Sequence, residues 1–79
     1  MSAASRPEID RTEWIARFVV ALAADLIARD IPPGDAVDDA RARAAAHYPN
    51  RTTQSPEADA HAIYARLTFP ADGTLPPAH

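Results

Sequence analysis

The three histidines of this chain are the first candidates for catalysis or metal binding. His47, His61 and His79 are the only imidazoles, and a metal site needs several ligands that converge from one face or from adjacent elements. Glu57 is a carboxylate that could join His47 and His61, but these three residues follow no spacing typical of a metal motif. We therefore predict no metal site. His47 is expected to lie at the negative end of a helix dipole, and His61 to be solvated.

Nucleophilic catalysis and phosphate binding also lack their usual patterns. The absence of cysteine excludes a thiol nucleophile, disulfides and thiolate metal sites. The serines and threonines lie in predicted termini and loops, with no histidine at a recognisable spacing to act as a base. Gly34 and Gly73, the only glycines, occupy turn-like contexts rather than a phosphate-binding loop. We predict no catalytic residue, no cofactor and no enzymatic activity.

The sequence leaves open one alternative function, that of a small helix-turn-helix-like regulator that binds DNA through its arginines. Arg51, in the polar stretch PNRTTQ, could contact phosphate, but this connection is longer than the usual turn of such motifs. The helix that follows begins PEADAHAIYARL, with two acids and no amide where a base-reading helix carries Arg, Asn or Gln. The net charge is −3. Nucleic-acid binding is therefore disfavoured.

The acids are better explained as signals that begin helices. In the sequence DRTE, Asp10 and Glu13 match a capping box with Asp10 as the N-cap. Asp35 is predicted to cap a second helix. Ser55, followed by Pro56, is predicted to cap a third.

These signals predict an all-α fold, a small three-helix domain with one long apolar N-terminal helix and two shorter helices. The chain of 79 residues is long enough for one such domain. The domain is predicted over residues 10–69, with a flexible arm at 1–9 and a flexible, proline-rich tail at 70–79. The three helices are predicted at about 10–30, 35–48 and 55–68.

The first predicted helix carries more apolar surface than one buried face requires. One row of side chains is expected to form the core: Ile15, Phe18, Val19, Leu22 and Leu26. A second row, spaced i, i+4, i+7 and i+11, lies beside it: Ala16, Val20, Ala23 and Ile27. Together the rows cover about 200° of the helix, roughly twice the width that a surface helix buries.

Two arrangements would bury the second row. In one, the first helix is central and the two other helices enclose it. In the other, which we favour because the alanine-rich partner helices bury little area, the row contacts another chain, as in a two-fold homodimer. The predicted interface consists of Trp14, Ala16, Val20, Ala23 and Ile27.

The function predicted from these features is a non-enzymatic protein-interaction module, of the kind found in accessory subunits, inhibitors, antitoxin-like proteins and assembly adaptors. Its partner would be another protein chain, with no small-molecule ligand. The apolar run is shorter than the roughly 20 residues that span a bilayer, and it contains Arg17 and Asp25. Asp25 is expected at the rim of the core, paired with Arg29. A cytoplasmic location, with no membrane association, is predicted.

Overall fold

A computed structural model describes residues 9–71 and 75–76 of the chain. Over these residues the fold is all-α, as predicted, with three helices. They are α1 (Arg11–Ala28), α2 (Pro33–His47) and α3 (Pro56–Arg66), and a 3₁₀ turn, Tyr48–Asn50, follows α2 directly. Among the described residues, none of the helices combines the length and the apolarity needed to cross a bilayer.

Local hydrogen bonds define both ends of α1. The Asp10 carboxylate accepts a 2.8 Å hydrogen bond from the Glu13 amide, which confirms Asp10 as the N-cap. At the other end Asp30 adopts a left-handed conformation with φ of 74°. The Asp30 amide donates to the Ile27 carbonyl at 2.9 Å, and the Ile31 amide donates to the Leu26 carbonyl at 3.1 Å. This Schellman arrangement ends the helix and brings Leu26 and Ile31 together in the core.

The beginning of α2 differs from the prediction. The helix begins at Pro33 with Pro32 as its cap residue, so Asp35 lies inside the first turn rather than at the N-cap. A proline suits this position because its fixed φ matches the helix and its missing N–H would have had no helical acceptor. By contrast, the predicted cap of α3 is confirmed, since the Ser55 hydroxyl accepts from the Ala58 amide at 3.1 Å.

The core lies around α1, which packs against both α2 and α3, while α2 and α3 contact each other very little. α1 is therefore central, as in the first predicted arrangement, but the other two helices bury only Ala23 of the second row and leave Ala16, Val20 and Ile27 exposed. The buried apolar residues are Trp14, Phe18, Leu22, Ala23, Leu26, Ile31, Ala36, Ala40, Ala44 and Ala60. Because α2 and α3 present alanines to α1, the helices can approach closely, but α1 contributes most of the large buried side chains.

Leu75 and Pro76, two residues of the tail predicted to be flexible, lie against the domain. Leu75 packs against the core, and Pro76 is buried. The Pro76 carbonyl accepts a 2.9 Å hydrogen bond from the Arg43 guanidinium, whose Nε also donates to the Asp39 carboxylate at 2.6 Å. The predicted flexibility of residues 1–8, 72–74 and 77–79 concerns positions outside the described residues.

Candidate interaction surface

One side of α1 is apolar and remains exposed to solvent. Four residues form this surface, the α1 outer face: Ala16, Val20, Ala24 and Ile27. The Val20 side chain is 71% exposed and that of Ile27 is 42% exposed, and these are the large hydrophobic residues left exposed among those described. The α1 outer face points away from Phe18 and Leu22, because residues four apart follow one side of a helix.

A shallow groove of about 360 Å³ runs along the α1 outer face and reaches the beginning of α3. Its lining is Ala16, Arg17, Val20, Ala21, Ala24 and Glu57. Small side chains make up most of this lining, so the backbone of another helix could approach α1 closely.

The polar edge of the groove is an ion pair between α1 and α3. The Arg17 Nε donates to Glu57 Oε2 at 2.8 Å, and Arg17 Nη2 donates to Glu57 Oε1 at 2.7 Å. These hydrogen bonds lower the pKa of Glu57 to about 2. Glu13 lies 3.6 Å from Arg17 on the same helix. The edge therefore carries both signs of charge, and Arg17 is already engaged.

The structure divides the five predicted interface residues into two groups. Ala16, Val20 and Ile27 lie on the α1 outer face and can be reached by a partner. Trp14 is only 3% exposed and Ala23 only 5% exposed, so both belong to the chain's own core and cannot contact a partner in this conformation. Ala24, which the sequence pattern does not single out, completes the exposed row because it follows Val20 by four residues.

The main polar cluster inside the fold is built on Asp59, which is 2% exposed. Its carboxylate accepts hydrogen bonds from the Thr52 amide at 2.9 Å and from the Thr52 hydroxyl, and it lies 3.3 Å from His47 Nε2. Burial raises the pKa of Asp59, but the hydrogen bonds from Thr52 and His47 outweigh burial and leave the pKa below its usual value. The sequence pattern identifies the acids at the beginning of this helix only as helix-start signals and does not predict this role of Asp59.

The Asp59 cluster is arranged for stability rather than for nucleophilic attack. In a catalytic triad the imidazole lies between the hydroxyl and the carboxylate, so that it can remove the hydroxyl proton. Here the carboxylate of Asp59 lies between Thr52 and His47. The His47 ring is stacked on Trp14 and Phe18, with centroid distances of 6.0 and 5.9 Å. The cluster ties the loop before α3 to the end of α2.

The residues of the candidate metal site are each bonded to a different partner. His47 pairs with Asp59, and Glu57 pairs with Arg17. His61 Nδ1 lies 3.3 Å from the Asp25 carboxylate. Over residues 9–71 and 75–76, no three His, Asp or Glu side chains are grouped so that they could hold a metal ion. His79 lies outside the described residues.

Asp25 differs from its expected role, since its partner is on α3 rather than on α1. It faces His61 instead of Arg29. The Arg29 guanidinium lies over the Phe69 ring instead, 3.9 Å from its centroid. Asp25 therefore links α1 to α3, as Arg17 does nearer the beginning of the helix.

Comparison of the chain with protein-family models, with curated proteins and with solved structures finds no match.

Acidification is expected to remove the stabilisation that the Arg17 and Glu57 pair provides. The pKa of Glu57 is lower in the fold than in an unfolded chain, so the contribution is complete above pH 4.5 and is lost as the pH falls toward 2. In Glu57→Gln this part of the acid dependence should be missing. Urea unfolding of both proteins at pH 6 and at pH 2.5 measures this difference in acid dependence.

The difference in unfolding midpoint between wild type and Glu57→Gln should be largest at pH 6 and should shrink at pH 2.5. Because the pair is exposed, the effect is expected to be much smaller than that of a core substitution. Asp38→Asn, at an exposed acid of α2, is the matched control. An unchanged difference across this pH range would contradict the prediction.

Proposed function

We propose that this protein is a non-enzymatic protein-interaction module whose α1 outer face binds α1 of a second copy. The observation that carries the proposal is the exposure of Val20, a large apolar residue that is 71% exposed and lines a groove together with three alanines. A helix that had only an intramolecular role would ordinarily present polar residues at such a position.

The α1 outer face is self-complementary. An antiparallel pair of α1 helices with its two-fold axis at Val20 would place Ala16 opposite Ala24 of the partner subunit. Each Val20 would then project between the small residues of the other helix. Ridges formed by residues four apart pack in this manner, with the helix axes crossing at about −50°. A two-fold contact uses the same surface on both copies, and this one surface supplies both the projection and the groove.

Charge opposes the pairing only weakly. Each copy carries a net charge of −3, but the four residues of the α1 outer face are uncharged. At its edge Arg17 pairs with Glu57 and lies 3.6 Å from Glu13, so the edge keeps one net negative charge whose repulsion salt would screen. One helix face is small compared with the interfaces of stable complexes, which bury about 1,200 Å² or more. We therefore expect a weak dimer, or a stronger complex with a larger protein that offers an equivalent helix. The cytoplasmic location remains a prediction from the sequence.

Val20→Glu tests the proposal directly. The substitution would place two carboxylates against each other at the two-fold axis, and such a juxtaposition costs several kcal/mol. The dissociation constant of the dimer should therefore rise by at least about 100-fold. The folded monomer should keep its stability to within about 0.5 kcal/mol, because Val20 is exposed. Light scattering over a concentration series up to about 1 mM measures the mass.

Ala42→Glu provides the matched control, because it adds the same charge at an exposed position of α2. This variant should dimerise like the wild type. A wild-type protein that stays monomeric at the highest concentration would overturn the proposed self-association. Equal masses for Val20→Glu and the wild type in a dimer would show that the dimer uses another surface.

The DNA-binding alternative gains no support from this geometry. Arg51 follows the 3₁₀ turn and does not lie on a helix that could enter a DNA groove. The Thr52 hydroxyl is engaged by Asp59. Glu57 remains at the beginning of α3, where a base-reading helix would approach the phosphates.

A further inference from the structure

Two arginines share one aromatic ring at the beginning of α1. The Arg51 guanidinium carbon lies 4.0 Å from the centroid of the Tyr48 ring, and that of Arg11 lies 5.6 Å from the same centroid. The two guanidinium carbons are therefore less than about 10 Å apart. Both side chains are exposed, although they come from different elements, Arg11 from the first turn of α1 and Arg51 from the end of the 3₁₀ turn.

The Tyr48 ring that carries these arginines is held in place from the core side. Trp14, which is buried, meets the Tyr48 ring edge-on at a centroid distance of 5.3 Å. Arg51 is held by its backbone as well, since its amide donates to the Tyr48 carbonyl at 3.1 Å. Stacking on a fixed ring restricts the conformations of both guanidiniums, so less conformational entropy is lost when they bind a ligand.

The two arginines also lack acidic partners. Arg17 and Arg43 are paired with carboxylates, whereas neither Arg11 nor Arg51 forms an ion pair within the described part of the chain. Asp10, which precedes Arg11 in the chain, accepts from the Glu13 amide, and Asp59 accepts from the amide of Thr52, which follows Arg51. Each guanidinium has five N–H donors, and Arg51 uses one of its donors on the Tyr48 carbonyl.

We propose that Arg11 and Arg51 form a binding site for a phosphate dianion, either free or as a small monoester. A carboxylate is satisfied by one guanidinium, because it has two oxygens and one negative charge. Two neighbouring guanidiniums instead match the larger number of oxygens and the higher charge of phosphate. The site is separate from the α1 outer face and does not depend on the proposed dimer.

Titration with inorganic phosphate and with glycerol phosphate tests the site and distinguishes free phosphate from a monoester. The readout is the chemical shift of the arginine Nε–Hε signals in NMR spectra. We expect saturable shifts of Arg11 and Arg51 together, with millimolar affinity that weakens as sodium chloride is added. Tighter binding of glycerol phosphate would identify the monoester as the preferred form, and tighter binding of inorganic phosphate would identify the free ion.

Arg11→Gln and Arg51→Gln should each weaken phosphate binding by about tenfold or more. Arg66→Gln, an exposed arginine at the end of α3, is the matched control and should bind like the wild type. Trp14 fluorescence and helical circular dichroism establish that each variant is folded. The absence of saturable shifts in the wild type, or equal affinities in all three variants, would overturn the proposal.

Discussion

Phe18→Ala is expected to lower the free energy of unfolding by about 3–5 kcal/mol. Phe18 is fully buried at the centre of α1. Its ring stacks on Trp14 at a centroid distance of 5.1 Å and on His47 at 5.9 Å. Removing the ring would leave a cavity between α1 and α2 that the surrounding side chains could fill only in part. Domains of this size rarely exceed about 3–5 kcal/mol of stability, so most molecules should be unfolded at 25 °C.

Val20→Ala, two residues further along the same helix, provides the comparison for Phe18→Ala. It also removes apolar atoms from α1, but from the exposed side, so the change should stay within about 0.5 kcal/mol. Urea unfolding followed by circular dichroism, at a concentration low enough to keep the protein monomeric, measures both variants. Similar losses of stability would contradict the division of α1 into a buried and an exposed face.

Asp59→Ala is expected to cost about 1–2 kcal/mol, although it removes no large apolar side chain. The substitution would leave the Thr52 amide, the Thr52 hydroxyl and the His47 ring without the carboxylate that they contact. A fully buried polar group that loses its partner costs about 1–3 kcal/mol, but Thr52 is exposed and His47 is partly exposed, so water can replace part of what they lose. The loop from the 3₁₀ turn to α3 should also become more mobile.

The pH dependence of the Asp59→Ala variant separates this explanation from a simple packing defect. The pKa of Asp59 is below its usual value in the fold, so its contribution is complete above the unfolded pKa and is lost as the pH falls through the folded pKa. The stability difference from the wild type should therefore decrease in acid. Asp38→Ala, at an exposed acid of α2, should cost less than about 0.5 kcal/mol at any pH. Equal effects at positions 38 and 59 would contradict the role assigned to Asp59.

These two predictions locate the stability of the domain away from the α1 outer face. Phe18 and Asp59 hold α1, α2 and the loop before α3 together, whereas Val20 and Ile27 contribute little to the monomer. A partner can therefore use the exposed face without disturbing the fold. The same separation allows variants of the α1 outer face to be tested for association in a protein that remains folded.

The helices could be predicted from the sequence, because their ends depend on contacts within a few residues. Asp10 and Ser55 cap their helices by accepting hydrogen bonds from amides three residues further on. The exception is α2, where Pro33 begins the helix two residues before the predicted Asp35. A proline can either break a helix or begin one, and the surrounding residues alone do not distinguish these roles.

Which side chains of α1 are buried depends on the packing of the other helices and could not be predicted from the sequence. On an ideal helix, the direction midway between Phe18 and Leu22 points into the core. Ala23 lies at an angle of about 120° from this direction, and Ala24 at an angle of about 140°. A helical wheel hardly separates them, yet Ala23 is buried and Ala24 is exposed. Similarly, the partners of Asp25, Glu57 and Pro76 lie more than 30 residues away in the chain. Such contacts depend on the direction from which distant segments approach α1, and the local sequence pattern does not predict that direction.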